Sequence, residues 1–495
     1  MKEQLFCEKN GKLHVGHTIL TGFAFLASSI AWAIYDPYIT KILNRLLTES
    51  AWVTSLSAKL NDMFPVLAEF AKTQGQDVGT VAGGITLVPL FIGVIMTFDN
   101  IFGVIFQPTF GKLSDRCRSK LGKRRPFIVY GAPVSAALFA IIPWVALRNS
   151  LPATMVFIIL FVFSMSLWRA PAVALMPALT PPHLRSEGNA IINLMGGVGS
   201  VIGMVAGTLV GAIYTLVTKV EVNAANEQQT SFPYVFLVGA LVMIIGMLVV
   251  RIFVKEPSSK LEDVAAKNQL ADEMAKAKAE KQVKKEEKKN QKLSKGERKS
   301  LIAMLGGLFF LFCGTNAITT FFALFAAEVL GKSTSEATIM TTLFAVCSAV
   351  AAIPAGKMGK KFGRKKTILF GLFVFMGVFL LYVLTRSMAL IWVALIFGGF
   401  ANMLITVNTL PLVLEIGGVD KVGTFTGYYY TATFSAQIAS PIVYGIVRMV
   451  SGSYLSLFIY SPIMFALSIL LILFVKHGEA VPEEVIKQVR EENED

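Results

Sequence analysis

Residues 107–127 read QPTFGKLSDRCRSKLGKRRPF, and seven of them are Lys or Arg. The stretch follows a mostly apolar run and precedes another. A weaker copy stands at residues 354–367, PAGKMGKKFGRKKT, again between two apolar runs. Two basic connections of the same kind, one per half of the chain, predict a duplicated membrane protein with both connections on one side of the bilayer.

The rest of the composition agrees. The chain has 495 residues and is 54% hydrophobic, with a mean hydropathy of +0.62. That is more apolar surface than a soluble core needs, and it places the chain among multi-span membrane proteins. The formal charge of +14 is concentrated in certain connections. It is therefore a topology signal and not a nucleic-acid footprint. Cys7, Cys117, Cys313 and Cys347 match no metal or redox spacing and suggest no disulfide framework. His14, His17, His183 and His477 are too scattered for a metal or triad site. No GxxxxGK[ST] loop is present, so neither an enzyme nor an ATP-driven pump is expected, and no cofactor. The first apolar run has no small-residue cleavage site after it and reads as a retained helix.

A spanning helix needs about 20 apolar residues. Twelve candidates follow: 18–43, 80–107, 127–147, 153–176, 188–217, 232–254, 301–329, 335–356, 367–385, 389–413, 423–448 and 454–475. With both termini in the cytoplasm, the inner segments carry about 35 basic residues and the outer ones about 8. The expected architecture is all-α, with a six-helix half at 1–254, a charged cytoplasmic linker at 255–300, a second six-helix half at 301–475 and a cytoplasmic tail at 476–495. The linker mixes Lys, Glu and Ala, which reads as a solvated helix or disordered tether with no nucleic-acid partner. The outer connection 44–79 contains Trp52-Val-Thr-Ser-Leu and Phe64-Pro-Val-Leu-Ala-Glu-Phe and reads as a short amphipathic helix along the membrane surface.

The two halves repeat at equivalent places. Gly111 to Arg116 is followed by Gly122-Lys-Arg-Arg125, and Gly356 to Lys361 by Gly363-Arg-Lys-Lys366. Two six-helix halves related as parallel repeats are the architecture of the major facilitator transporters. The first connection closely resembles the loop signature of that superfamily. Its particular form resembles the sucrose/proton symporter family and its animal and bacterial relatives, close to the glycoside–pentoside–hexuronide cation symporters. The residues that carry this are Gln107-Pro108, Gly111, Ser114 to Cys117, Ser119, Gly122 and Arg124 to Phe127. Pro171 to Pro177, Thr180-Pro, Leu184 to Ser186 and Asn189 to Gly197 support it. The sequence departs from the plant carriers in helix 4, where Val162 and Val173 stand at the positions of an acid and an Arg. Ala178 and Lys360 also replace acids of the pattern.

The resemblance implies a cytoplasmic gate. Gly111 is expected to let the second helix approach its neighbour closely. Asp115 would face the start of the eleventh helix near Gly423-Thr424, where an anion is stabilised by free N–H groups. Arg116, Gly122, Arg124 and Arg125 would complete the gate in the first half, and Gly356, Gly363, Arg364 and Glu415 in the second. The arginines either bridge within the hairpin or to lipid phosphate, or only enforce topology.

Charges inside a membrane are costly and mark functional sites by default. Asp99 lies 12 residues before Gly111 and Arg169 lies 11 before Thr180. Those offsets are about 18 Å and about 16 Å of helix, near the middle of a core about 30 Å thick. A direct Asp99–Arg169 pair is expected, either in the coupling path or purely structural. Asp36 precedes Pro37, so the first helix is expected to bend or end there. Asp36 then either takes a proton or a sugar hydroxyl, or is an interfacial carboxylate. Asn193, Asn316, Asn402, Asn408 and Gln437 can both donate and accept, which suits a hydroxyl-rich ligand. Trp32, Tyr35, Trp168 and Tyr428 to Tyr430 can stack on a sugar face or simply pack between helices.

The reading is a monomeric secondary active transporter of the plasma membrane of a bacterium. It would take up a sugar or glycoside by alternating access, with a proton as the coupled cation and the lipid bilayer as its surroundings. An exporter or antiporter of another metabolite or drug on the same fold, and a non-transporting membrane sensor, are the alternatives.

Overall fold

The structure is a computed structural model that describes residues 7–9, 12–77, 84–180, 184–256, 294–417 and 422–477. A two-stranded ladder, β1 (Glu8–Lys9) with β2 (Lys12–Leu13), precedes the helices. The helices are α1 (Val15–Thr48), α2 (Ala51–Met63), α3 (Pro65–Asp77), α4 (Val88–Met96), α5 (Phe98–Arg116), α6 (Arg125–Ala146), α7 (Leu151–Leu179), α8 (Arg185–Thr218), α9 (Glu227–Thr230) and α10 (Phe232–Phe253). They continue with α11 (Lys295–Val329), α12 (Thr334–Phe362), α13 (Arg364–Thr385), α14 (Met388–Gly417), α15 (Val422–Ser451) and α16 (Leu457–Leu473). Each of the twelve expected spans is matched by helix among the described residues. Eleven are long and apolar enough to cross a membrane, with α4 and α5 forming one span. The twelfth, α15, carries three consecutive tyrosines, Gln437 and Arg448 and is more polar. Residues 257–293 of the expected linker and 478–495 of the tail lie outside the described residues.

Two expectations about helix ends change. Pro37 does not end the first helix: α1 runs on to Thr48. The carbonyl that Pro37 leaves without a ladder donor is that of Ala33, four residues earlier, and a packed spanning helix tolerates such a gap. The second span, by contrast, is broken. The Thr97 hydroxyl donates to the Val94 carbonyl at 2.7 Å, and its backbone N–H reaches the same carbonyl at 3.2 Å. This three-residue closure competes with the regular ladder, and α5 starts afresh at Phe98.

The chain divides into two compact units, residues 1–42 with 98–292 and residues 43–97 with 293–495. In the first, Phe98, Phe102, Phe106 and Phe110 recur every fourth residue along one side of α5. Phe163 of α7 closes edge-on against Phe106 and Phe110. α8 packs on α1 through glycine. A Cβ on Gly199 would stand 2.5 Å from the Leu26 carbonyl oxygen, and one on Gly203 2.9 Å from that of Ile30. The backbones meet there directly, as small residues allow in membranes.

In the second unit, Phe325 of α11, Phe375, Phe379 and Tyr382 of α13, and Phe458 and Phe465 of α16 form one aromatic cluster. Serines join the helices. Ser440 of α15 and Ser461 of α16 donate to the Cys313 and Gly314 carbonyls at 2.6 and 3.0 Å. Ser468 of α16 donates to the Gly307 carbonyl at 2.8 Å. Each spare carbonyl lone pair is thereby used inside the bundle, where no water would serve it.

Candidate functional site: a charged cluster in the first unit

α1, α5 and α7 bring Asp36, Asp99 and Arg169 into one neighbourhood of the first unit. Each is half-buried, and their charges act on one another. Because α1 continues past Pro37, Asp36 lies 12 residues before its end, about 18 Å along the axis. Asp99 sits in the first turn of α5, just after the break at Thr97. Its Oδ1 accepts from the Asn100 backbone N–H at 2.7 Å and the Asn100 amide at 3.0 Å.

The expected direct pair does not form. Among the described residues no ion pair within 4.0 Å joins Asp99 to Arg169. The Arg169 guanidinium lies instead over the ring of Trp32, 5.4 Å from its centroid. The helix start holds the Asp99 carboxylate, and the indole face offers the guanidinium a favourable quadrupole. Trp32 meets Tyr35 edge-on at 5.2 Å and Phe161 at 6.1 Å, and Tyr35 stacks on Phe161 at 5.5 Å. The Trp32 Nε1 is enclosed and has no hydrogen-bond partner. Two carboxylates and one guanidinium thus act on one another beside the half-buried Trp32 ring, against which the buried Tyr35 and Phe161 pack.

Other candidates separate. Trp168 is fully buried, and its Nε1 donates to Ser135 Oγ at 3.0 Å, while Ser135 and Ser164 hydroxyls lie 2.8 Å apart. It is a core residue. Asn193 is exposed on α8, and its amide donates to the Asn189 carbonyl at 2.9 Å. In the second unit, Asn408 is buried, and its amide donates to the Leu404 and Ala355 carbonyls at 2.8 and 3.2 Å. Its amide N–H groups thus tie α14 to α12. Tyr429 is buried within 3.4 Å of the Thr409 hydroxyl, whereas Tyr428 and Tyr430 are exposed. Asn316, Asn402 and Gln437 are half-buried, and the Asn316 amide nitrogen has no partner.

The gate residues fall into two local networks. In the first unit Arg124 pairs with Asp115 at 2.8 Å. The organising group is Glu256, after α10, which sequence reasoning missed. Its carboxylate accepts from the backbone N–H of Arg124 at 3.0 Å and of Arg125 at 3.1 Å, and stands 3.9 Å from the Arg124 guanidinium. This is an anion at the start of α6, where free N–H groups and the dipole favour it. Gly122, at φ +101°, leaves room for it: a Cβ there would stand 2.7 Å from the Glu256 Cβ and closer still to its carboxylate. Arg125 donates to the Arg251 carbonyl at 2.6 Å. Arg116 is exposed at the end of α5. Among the described residues, a Cβ on Gly111 would meet nothing within 4 Å.

In the second unit Arg364 pairs with Glu415. Gly363 turns the chain at φ +91°, and Lys365 caps α16 through the Leu473 and Val475 carbonyls at 3.0 and 2.6 Å. Gly356 makes only ordinary contact, with Val407. In each unit a base within three residues of the positive-φ glycine therefore closes on backbone carbonyls at the end of that unit's last long helix.

Two further buried ion pairs were not anticipated. Lys41 of α1 meets Glu227 of α9 at 3.8 Å, with Glu227 fully buried. Glu328 of α11 meets Arg448 of α15 at 2.6 Å and accepts from the Tyr454 N–H at 2.8 Å. Each unit ties its first helix to a later element, with the signs reversed. Lys41, Glu328 and Arg448 each interrupt an apolar run, which is the signal that singled out Asp99.

Helices that span a membrane, a duplicated basic hairpin and a charged cluster among three helices define a polytopic helical membrane protein of the facilitator type. A family model described as Major Facilitator Superfamily matches residues 18–333 and 304–494, and the chain belongs to that superfamily. Sucrose transport protein SUC3 of Arabidopsis thaliana is 32% identical over 136 residues, 24% of this chain and 23% of that protein. Sucrose transport protein SUT4 of Oryza sativa subsp. indica is 29% identical over 175 residues, 32% of this chain and 29% of that protein. The match thus spans about a quarter of the length of these relatives. Among solved structures, the inward-open xylose transporter XylE from E. coli aligns with a TM-score of 0.58 at 15% identity, over 96% of this chain and 99% of that one. The nucleoside transporter NupG aligns with a TM-score of 0.58 at 11% identity, over 93% and 99%. These likenesses establish the fold.

Proposed function

We propose that the protein is a secondary active transporter that takes up a sugar or glycoside together with a proton. The observation that carries this reading is the Asp36–Asp99–Arg169 cluster beside Trp32 and Tyr35. Two carboxylates and one guanidinium act on one another within a membrane-spanning bundle, so with all three ionised one negative charge is left over. An uncompensated charge at that depth is costly, and a bound cation removes it. The half-buried Trp32 ring supplies an apolar face that a sugar ring stacks on, backed by the buried Tyr35, and the carboxylates supply partners for hydroxyls. Binding of the cation and the sugar at one place couples them. The two halves of the fold then expose that place alternately to each side.

The resemblance to sucrose transport proteins supports a sugar as cargo. The predominance of basic residues in one set of connections supports cytoplasmic termini. A single chain in the plasma membrane of a bacterium completes the reading. Counterflow of a panel of labelled mono- and disaccharides into proteoliposomes tests it. Saturable counterflow of a sugar that Asp36→Asn retains and Trp32→Ala loses is expected. Counterflow of no sugar, with exchange of a different metabolite class, contradicts it.

A further inference from the structure

We propose that α2 and α3 form a membrane-surface hairpin whose exposed apolar face sits in the lipid interface beside the spans it connects. Trp52, Leu56 and Met63 lie on one side of α2, at spacings of four and seven residues. Val66 and Phe70 repeat the spacing on α3, with Phe64 between the two helices. All six side chains are exposed, Val66 by 81% and Met63 by 67%. Other sides are committed to the protein: Val53 and Ser57 on the adjoining side of α2, and Ala68 and Ala71 on the far side of α3, are buried.

The hairpin is held in a fixed pose. The Asn61 amide both donates to the Ile85 carbonyl at 3.0 Å and accepts from its N–H at 2.7 Å. Ser57 Oγ accepts from the Leu87 N–H at 3.1 Å. Gly452, at φ +71° just past α15, presses its backbone on that of Ala71, and a Cβ there would stand 2.8 Å from the Ala71 carbonyl carbon. With the buried sides pinned, the apolar face cannot turn inward.

The occupant follows from continuity. The Trp52 ring contacts Phe91 at 5.1 Å, and Phe91 lies in the first turn of the span Val88–Arg116. The apolar face therefore runs on into a segment long and apolar enough to cross a membrane. Aromatic and long aliphatic side chains on one face are what an interfacial helix presents to acyl chains. Charge decides which lipid feature is recognised. Residues 51–77 carry Lys59 and Lys72 against Asp62, Glu69 and Asp77. With no excess of bases, the hairpin is held by apolar area and not by anionic headgroups. This inference stands independently of what the protein carries.

The test uses the full chain with Cys117→Ser and Cys347→Ser, leaving the buried Cys7 and Cys313. A nitroxide is placed at Val66→Cys, Phe70→Cys or, as the polar-side control, Lys72→Cys. Collision with oxygen and with a water-soluble nickel chelate is measured in phosphatidylcholine vesicles, with and without phosphatidylglycerol. At positions 66 and 70 high oxygen and low nickel accessibility is expected, with the reverse at 72, in both vesicle types. Nickel accessibility at 66 and 70 equal to that at 72 overturns the proposal. So does burial that appears only with the anionic lipid. Dipolar coupling between labels at 66 in two copies also overturns it, in favour of a protein–protein interface.

Discussion

The guanidinium of Arg169 lies over the ring of Trp32, 5.4 Å from its centroid, and so joins the seventh helix to the first. A planar, delocalised cation spreads over an indole in a way that an ammonium does not. Arg169→Lys should therefore lose sugar uptake nearly as fully as Arg169→Gln, although the charge is retained. Initial uptake rates in proteoliposomes, corrected for protein content, check this. Near-normal rates in the lysine variant would reduce Arg169 to a simple counter-charge.

Removing Arg169 leaves Asp36 and Asp99 unbalanced, so the losses should not add. Arg169→Gln alone should lower folded yield, and Asp99→Asn in the same chain should restore part of it. Gel-filtration recovery of the two variants checks this. A double variant recovered in yield yet unable to concentrate sugar assigns the pair to coupling, whereas strictly additive losses separate the two sites.

Glu256 is held by two backbone N–H groups at the start of α6. Glu256→Ala leaves those donors without a partner, at a cost of about 1–3 kcal/mol. Asp115 touches the same arginine, but its side chain is 60% exposed, so Asp115→Asn should cost less than about 1 kcal/mol. Thermal unfolding in detergent ranks the two. The opposite order would mean that the hairpin is held by Asp115.

Gly199 meets the Leu26 carbonyl directly, while a Cβ on Gly197 would meet none of the described residues within 4 Å. Gly199→Val should abolish the folded monodisperse protein, and Gly197→Val should leave it unchanged in size-exclusion chromatography. The two positions lie two residues apart on one helix, so helix propensity cannot account for a difference.

Much of the fold could be read from the sequence because lipid demands long apolar helices and bases collect on one side. Helix continuity could not. Pro37 has the local chemistry of a break, yet α1 passes through it. Thr97 has no such mark, yet the ladder tightens there, its N–H and its hydroxyl both reaching the Val94 carbonyl. The charges of the site could be found because each interrupts an apolar run. Their partners could not, because depth along a helix does not say which way a side chain turns. Arg169 and Asp99 match in depth, yet one faces an indole and the other its own helix start. Glu256 carries a weak signal, an acid between Lys255 and Pro257 at the end of an apolar run. Trp168 and Asn408 looked available for a ligand and are occupied by Ser135 and by backbone carbonyls.

The central claim is that the surplus carboxylate of the Asp36–Asp99–Arg169 cluster loads the coupled proton. The direct measurement is the pH outside proteoliposomes when the transported sugar is added, in wild type and in Asp36→Asn. Wild type should alkalinise the medium as sugar enters. Asp36→Asn should exchange labelled sugar in counterflow while the medium pH stays constant and no gradient of sugar builds. Sugar-dependent alkalinisation undiminished in Asp36→Asn would contradict the account.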